Sequence, residues 1–545
     1  MADTTTRGQL GADAASEAPT DDAVPGGDRL RGVTSWPGRL RRTTRVHWQF
    51  SLVVAAAILM RAVVLLAYPP IMWFNDSFNY VSDAISFIPD EVRANGYPFF
   101  LSLALVPWHN VYPVALLQAA MGMAMGIVIY ALLRHRGLPW WGAALPAVPV
   151  LFDVFELQLE HMITADTLFT FLVTVALVLC CWRDRPSVTT MAVTGLLVGY
   201  ATLVRSVGEP LLIVFILAML IRRAGWRQLL ALTVAGVAPI AGYMIWFHGS
   251  YGKYALTESQ GAFLYSRVST FAECSKINPP ASLRFLCDPT PTYRRPPSQE
   301  YLWANNELWP DSNRETPLMA AYGQDNAFRF TAHASGQMTK FAEQAILAQP
   351  GAYVRAVYND VVHTFAWNRQ PDPQNKIGNG NGPPFRFSNS PVKPPWWVEP
   401  TATDQTANAL HKQLAGALGG RLAQPSVNHP WAGFVQGYQS GVYLPGSLLG
   451  LIVLIGAVGV IGRLRPRRGR PIGGIVLLPW LVGAVLIVFP PMTAGFSYRY
   501  VVAAVPAACL AAGLAFARQP GERSVRALTA DLGRYFGRGV PVKQE

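Results

Sequence analysis

Apolar runs of membrane-crossing length punctuate this chain, and the charges between them alternate. Trp48 to Tyr68 is almost wholly apolar and is closed by Pro69 and Pro70. About 20 such residues cross a bilayer. Arg39, Arg41, Arg42 and Arg45 precede this run, which by the positive-inside rule places the N-terminus in the cytoplasm. Further runs follow at 111–133, 139–152, 162–182, 189–203, 210–221 and 229–247. After a long polar stretch come 442–461, 472–489 and 501–517. Taken alternately outward and inward, the runs leave every inward loop basic. Those loops hold Arg134, His135 and Arg136; Arg183 and Arg185; Arg222, Arg223 and Arg227; Arg463, Arg465, Arg467 and Arg468; and Arg518 and Arg523. The pattern predicts a mainly α, polytopic membrane protein of about ten transmembrane helices with both termini cytoplasmic. Three of the runs are short, so the count is good to one or two.

The organisation follows from the runs. Residues 1–38 read as a disordered cytoplasmic tail, having no apolar period. The first apolar run begins too late and is too long for a secretory signal peptide. Residues 39–247 form a membrane core with a first external loop at 69–110. Residues 248–440 form a large extracytoplasmic segment rich in Pro, Asn and Trp, 441–517 the last transmembrane helices, and 518–545 a second cytoplasmic tail.

Charge and composition agree with a membrane partner and not with nucleic acid. Hydrophobic residues make up 51% and charged ones 14%, against roughly 25% charged in soluble domains. The net charge of +13 is carried largely beside the apolar runs, and the chain contains no nucleic-acid-binding motif, so no such partner is expected.

Most of the candidate chemistry falls on one side of the predicted membrane. Asp76, Glu160, His161, Asp166, Arg205, Glu209 and Arg499 all lie at the outer ends of runs. A transporter gathers its ionisable groups near the midplane, whereas an enzyme with a membrane-borne substrate gathers them at one interface. Asp76 sits in Trp73-Phe74-Asn75-Asp76-Ser77-Phe78-Asn79-Tyr80, just after the first run. Burial beside lipid raises a carboxylate pKa and suits it to act as a base; a helix cap or a solvated acid is the plain alternative. Arg61 lies inside the first run, where it either snorkels outward or has an ion-pair partner.

Five segments together resemble the GT-C superfamily of integral-membrane glycosyltransferases, which includes the protein mannosyltransferases, the lipid A aminoarabinose transferases and the actinobacterial mannosyl- and arabinosyltransferases. They are Asn75-Asp76-Ser77-Phe78-Asn79-Tyr80, Asn95-Gly96-Tyr97-Pro98-Phe99-Phe100-Leu101, Thr164-Ala165-Asp166-Thr167-Leu168-Phe169, Leu203-Val204-Arg205 and Ser497-Tyr498-Arg499-Tyr500. Their order and membrane side resemble the family layout over 48–247 and the last runs. The resemblance implies transfer of a sugar from a polyprenyl-phosphate carrier, at the outer face, to a glycan, glycolipid or protein acceptor.

Under that resemblance Asp76 is the catalytic base and Asp166 orients the acceptor, unless Asp166 only caps its helix. Arg499 between Tyr498 and Tyr500 is the donor-phosphate ligand, because a guanidinium fork matches phosphate oxygens; the alternative is an interfacial anchor with an aromatic belt. Arg205 is a second phosphate ligand or a structural partner of Glu209. Glu160, His161 and Tyr80 support the site or contact the acceptor, the first two otherwise facing water. Metal use varies in the superfamily, and a Mg or Mn ion would find oxygen ligands in Asp76 and Asp166.

Cys274 and Cys287 both fall in the external segment, and a disulfide suits an oxidising exterior. Tyr251, Tyr254, Tyr265, Trp367, Trp396 and Trp397 are candidate sugar-stacking platforms, or else core and interfacial anchors. The Ala-, Arg-, Gly- and Pro-rich composition suggests a high-GC bacterium, for which mannose and arabinofuranose are the sugars to expect. Two other readings stay open: a multi-span transporter or lipid-linked-sugar flippase, and a polysaccharide polymerase or ligase.

Overall fold

The computed structural model describes residues 47–303, 331–367, 386–391, 416, 418, 424–463 and 473–517. The chain divides into two units, Met1–Trp48 and Gln49–Glu545. Both predicted tails, Arg39 to Arg45, Arg465 to Arg468, Arg518, Arg523, Trp396 and Trp397 lie outside the described residues.

The described chain is helical; its single β contact is an isolated parallel bridge between Met72 and Met162. In order, the first half comprises α1 (Trp48–Ala67), α2 (Asn75–Ser86), α3 (Gly96–Ala104), α4 (Tyr112–His135), α5 (Trp140–Phe152), α6 (Val154–Glu160), α7 (Asp166–Trp182), α8 (Val188–Val204), α9 (Leu211–Ile221) and α10 (Trp226–Tyr251). The polar stretch contributes α11 (Gln260–Ser269), α12 (Cys274–Ile277), α13 (Ser298–Trp303), α14 (Ala332–Ala348), α15 (Pro350–His363) and α16 (His429–Gln439). The chain then forms α17 (Gly446–Ile461), α18 (Leu477–Thr493), α19 (Tyr498–Val502) and α20 (Val505–Ala515).

Among the described residues five helical segments are long and apolar enough to cross a membrane: α1, α4, α10, Gly474–Thr493 and Tyr498–Ala515. The pair α5 and α6, bent by 55°, makes a sixth if it counts as one span. Pro146 and Pro149 withhold backbone donors inside α5, and Asp153 Oδ1 accepts from Phe155 N at 2.8 Å to start α6 in a new direction. The runs expected at 162–182, 189–203, 210–221 and 442–461 fold as shorter apolar helices. Leu52, Ile58 and Leu59 of α1 and Leu451, Leu454 and Val458 of α17 lie exposed, the inside-out pattern of helices whose solvent is lipid. The protein is therefore a multi-pass membrane protein.

The expected loop at 69–110 is not a loop. It folds into α2 and into an apolar helical stretch, Gly96–Trp108. Gly96 is required there: a Cβ on it would lie 2.4 Å from the carbonyl carbon of Leu203. Tyr200 donates from its hydroxyl to Gly96 O at 2.8 Å, fastening the start of α3 to the end of α8.

The two ends of the bundle differ. At the end where α4 and α7 finish, arginines bind helix C-terminal carbonyls, the groups a helix leaves unpaired. Arg136 donates to Cys181 O at 2.9 and 2.6 Å, Arg222 to Cys180 O at 3.0 Å, and Arg463 to Ala515 O at 3.0 Å. At the opposite end α1 and α8 finish, and α4, α7 and α19 begin.

In the polar stretch, Tyr265, Phe341, Met338 and Leu286 build a core of their own. Cys274 and Cys287 are disulfide-bonded, with Cα atoms 5.9 Å apart.

Candidate active site

The parallel bridge sets the site's frame. Met72 N donates to His161 O at 2.9 Å, Ile163 N to Met72 O at 3.1 Å, and Ser77 Oγ to Ile163 O at 2.7 Å. These bonds hold the first turn of α2 beside the first turn of α7, and so Asp76 near Asp166. Asp166 does not cap its helix: the cap position is Ala165, with no side-chain cap bond. Its carboxylate turns instead to two arginines from elsewhere in the chain.

The result is one chain of charges. Arg93 Nη2 donates to Asp76 Oδ1 at 2.7 Å, Arg499 Nη1 to Asp76 Oδ2 at 2.8 Å, and Arg499 Nε to Asp166 Oδ2 at 2.6 Å. Arg205 Nη1 pairs with Asp166 Oδ1. Two carboxylates alternate with three guanidinium groups, one more cation than anions within the chain of ion pairs itself, and Asp90 acts on Arg93 from outside it. Asp166 is the deepest member, at 2% side-chain exposure, while Asp76 and Arg93 reach 17%. An incoming ligand therefore meets Asp76 and Arg93 first. Aromatic faces line the guanidinium groups: Phe74 lies 5.0 Å from Arg499, Tyr500 5.1 Å from Arg205 and Tyr80 5.9 Å from Arg93, ring centroid to Cζ.

Asp76 titrates in the direction opposite to the one its position suggested. Burial, the largest single influence, pushes its carboxyl up; Arg93, Arg499 and Arg205 together outweigh burial and hold it below the usual carboxylate range. Arg205 is pulled down to about 10, by burial first and then by the charge of Arg499.

Several expected site residues lie elsewhere. Glu160 is bound to Arg61, whose Nε and Nη2 donate to its two oxygens at 2.7 and 2.6 Å. Arg61 thus has a partner and does not snorkel. His161 is not water-facing: it is buried, and its Nε2 lies 2.8 Å from Tyr68 O. Glu209 accepts from Gln260 at 3.2 Å and is not the partner of Arg205. Tyr498 is buried among Phe155, Phe496 and His363. Of the candidate stacking platforms, Tyr265 is core, with its hydroxyl bonded to Leu286 O at 2.9 Å, and Tyr251 is bonded to Pro89 O at 2.6 Å. Tyr254 stacks on His248 with centroids 4.1 Å apart. Trp367 is exposed.

Arg93 and Phe74 were missed by the sequence reading. Arg93 was detectable as the one cation in an acidic stretch holding Asp83, Asp90 and Glu91, two residues before Asn95-Gly96-Tyr97.

A divalent cation does not fit these residues as arranged. Each carboxylate oxygen of Asp76 and Asp166 already faces a guanidinium group. Among the described residues no group of three or more His, Cys, Asp or Glu side chains gathers as metal ligands. The surplus charge favours an anion. Thr164 and Thr167 flank Asp166, both are buried, and neither hydroxyl has a hydrogen-bond partner among the described residues.

No family model and no curated protein matches the chain. Two solved structures overlap with it weakly. The Saccharomyces cerevisiae protein O-mannosyltransferase complex, bound to its sugar donor, is 16% identical over 40% of this chain and 36% of that one, with a TM-score of 0.30. The archaeal oligosaccharyltransferase of Archaeoglobus fulgidus, in complex with an inhibitory peptide and a dolichol-phosphate, is 12% identical over 92% of this chain and 53% of that one, with a TM-score of 0.36. The chain thus spans about a third and about half of the lengths of these two proteins.

Proposed function

We propose that this protein is an integral-membrane glycosyltransferase of the GT-C kind. It moves a sugar, mannose or arabinofuranose, from a polyprenyl-phosphate carrier to a cell-envelope acceptor. The observation that carries this reading is the alternating Arg93–Asp76–Arg499–Asp166–Arg205 network with its surplus positive charge. It stands at one end of a bundle of membrane helices, where a lipid-borne phosphate arrives. The opposite end carries Arg134, Arg136, Arg183 and Arg222, so by the positive-inside rule the site faces outward.

The chemistry follows from ligand exchange within the network. The carrier's phosphate is an anion and competes with the two carboxylates for Arg499 and Arg205, which bind phosphate in a fork. As Arg499 turns to phosphate, Asp76 loses a charge that held its proton affinity down and becomes a stronger base. The acceptor hydroxyl gives its proton to Asp76 while its oxygen bonds to the sugar's anomeric carbon. The bond from that carbon to the phosphate oxygen breaks, and the carrier leaves as polyprenyl phosphate with the electron pair. Arg499 and Arg205 take up its added charge. Carboxylate oxygens near the sugar stabilise the positive character of the transition state. No step is assigned to a divalent cation.

The test is transfer by the purified protein in liposomes, with labelled sugar on polyprenyl phosphate. The expected outcome is labelled acceptor together with free polyprenyl phosphate. Asp76→Asn should lower the rate on the order of 100- to 10,000-fold, as loss of a positioned base commonly does, and should leave donor binding intact. Near wild-type turnover by that variant would remove Asp76 from the mechanism. Sugar crossing the membrane uncleaved from its carrier would make the protein a transporter.

A further inference from the structure

α15 has no fully buried residue, yet it shows a sharply divided surface. Val354, Tyr358 and Val362, spaced by four, lie exposed at 63%, 64% and 47%. Arg355 and Asn359, each one position on, form an exposed polar flank. The other side is committed to protein. Asp360 accepts from Arg267 at 2.8 Å, Tyr353 donates from its hydroxyl to Met492 O at 3.0 Å, and His363 packs on Phe496 with centroids 4.8 Å apart. At a 100° turn per residue, the apolar stripe spans about 80° and the polar flank follows directly beside it.

The end of α15 fixes its height. The chain after His363 runs against the first turns of α17. A Cβ on Gly446 would lie 2.4 Å from the carbonyl oxygens of Thr364 and Ala366, and one on Gly450 would lie 3.2 Å from the Phe365 ring. α17 is one of the apolar helices of the bundle, and its own exposed stripe begins at Leu448 and runs through Leu451, Leu454 and Val458. Leu448 is two residues from the Gly446 contact and Val362 is two residues from Thr364, so both stripes run up to the junction of α15 with α17.

We propose that α15 lies in the plane of the membrane surface. Val354, Tyr358 and Val362 seat in the boundary between headgroups and acyl chains, and Arg355 and Asn359 stay in water. An amphipathic helix with an apolar face, a polar flank carrying an arginine and an exposed tryptophan close by, here Trp367 at 60% exposure, is the sequence form such helices take. The occupant of the stripe is thus the lipid surface itself. The inner face of the same helix touches Phe496 and, through His363, Tyr498, next to Arg499 in the chain. The helix therefore fixes the depth of the site relative to the leaflet.

The proposal is tested on the full chain in lipid nanodiscs, with Cys180, Cys181 and Cys509 replaced by alanine. Single cysteines are placed by Val354→Cys, Tyr358→Cys and Asn359→Cys, and each is given a fluorescent label. Nitroxide-bearing lipids with the spin near the headgroup should quench the labels at 354 and 358 several-fold more than the label at 359. Aqueous iodide should show the reverse order. Equal iodide quenching at 358 and 359 would overturn the proposal. Protection of 358 from both quenchers would also overturn it, by showing that another part of the chain covers the stripe.

Discussion

Two buried ion systems stand in the same bundle and are built from the same residue types. Arg61 and Glu160 form a closed pair. One guanidinium meets one carboxylate through two parallel bonds, and the remaining nitrogen, Nη1, donates to Leu151 O at 3.0 Å and Ala57 O at 3.3 Å. The pair is neutral, its side chains are 7% and 2% exposed, and it borders an apolar hollow of about 250 Å³ between α1 and α4. A Cβ on Gly122 would lie 1.8 Å from Glu160 Oε1, so only glycine at that point of α4 admits the carboxylate. The Asp76–Asp166 network is open by contrast. It has more cations than anions and two members reach solvent. A closed, neutral pair has nothing to exchange and serves packing. An open system with surplus charge can trade a carboxylate for an incoming anion, which is the exchange the proposed function uses.

The contrast is broken most directly at Arg61. Arg61→Met or Glu160→Gln leaves one buried partner uncompensated and should cost about 3–5 kcal/mol of stability. The double replacement Arg61→Met with Glu160→Met should recover most of that loss, since removing both charges of a buried pair is often neutral. Transfer per folded molecule should be unchanged in every case. Thermal unfolding in detergent, alongside a rate normalised to folded protein, decides the matter. A fall in normalised rate would move the pair into the site and erase the distinction.

Arg499→Lys sharpens the other side. Lysine keeps the charge but replaces a fork that reaches two carboxylates by a point charge. Donor affinity should fall about 10- to 100-fold, as expected when a charged hydrogen bond worth about 1.5–3 kcal/mol is lost, with a small effect on unfolding. Unchanged binding of polyprenyl phosphate would leave Arg499 a structural partner of Asp76 and Asp166 and not a phosphate ligand.

Much of this was legible in the sequence. Hydropathy found the apolar helices because their period and length survive without context. It missed the helices inside 69–110 because α2, Asn75–Ser86, is amphipathic and short and Gly96–Trp108 is no longer than a buried core segment. The alternation of apolar runs with basic inward loops placed Asp76, Asp166, Arg205 and Arg499 at one end of the bundle, and the structure joins them in one network. Pairing partners were another matter. Glu160 stands 99 residues from Arg61 and Asp166 stands 333 from Arg499, and no local rule chooses between two acids six residues apart. The direction of the Asp76 shift was misjudged for the same reason. Burial is visible in a sequence, but three converging arginines are not.

The smallest effect is expected at Asp83, and it tests whether acidity near the network matters by itself. Asp83 belongs to α2, like Asp76, but its titration goes the other way. Burial first, and the charge of Asp90 second, push its carboxyl up to about 8. Asp90 is raised as well, burial being its largest influence, with Arg93 pulling both down. One oxygen of each carboxyl is buried without a partner among the described residues. The folded protein therefore keeps a proton on this pair at neutral pH, which the unfolded chain has released above its ordinary value of 3.8. Because the folded value is the higher one, the associated stability is complete below that ordinary value and is lost progressively as pH rises towards 8. Asp83→Asn removes the charge that would form and should flatten this decline, so the variant gains on the wild type between pH 5 and about 8 in thermal melts. Transfer at pH 7 should change little, because among the described residues no ion pair joins Asp83 to Arg93, Arg205 or Arg499. A loss of rate as large as that in Asp76→Asn would extend the open network to this pair. A pH profile of stability identical to the wild type would show that Asp83 is ionised in the folded protein.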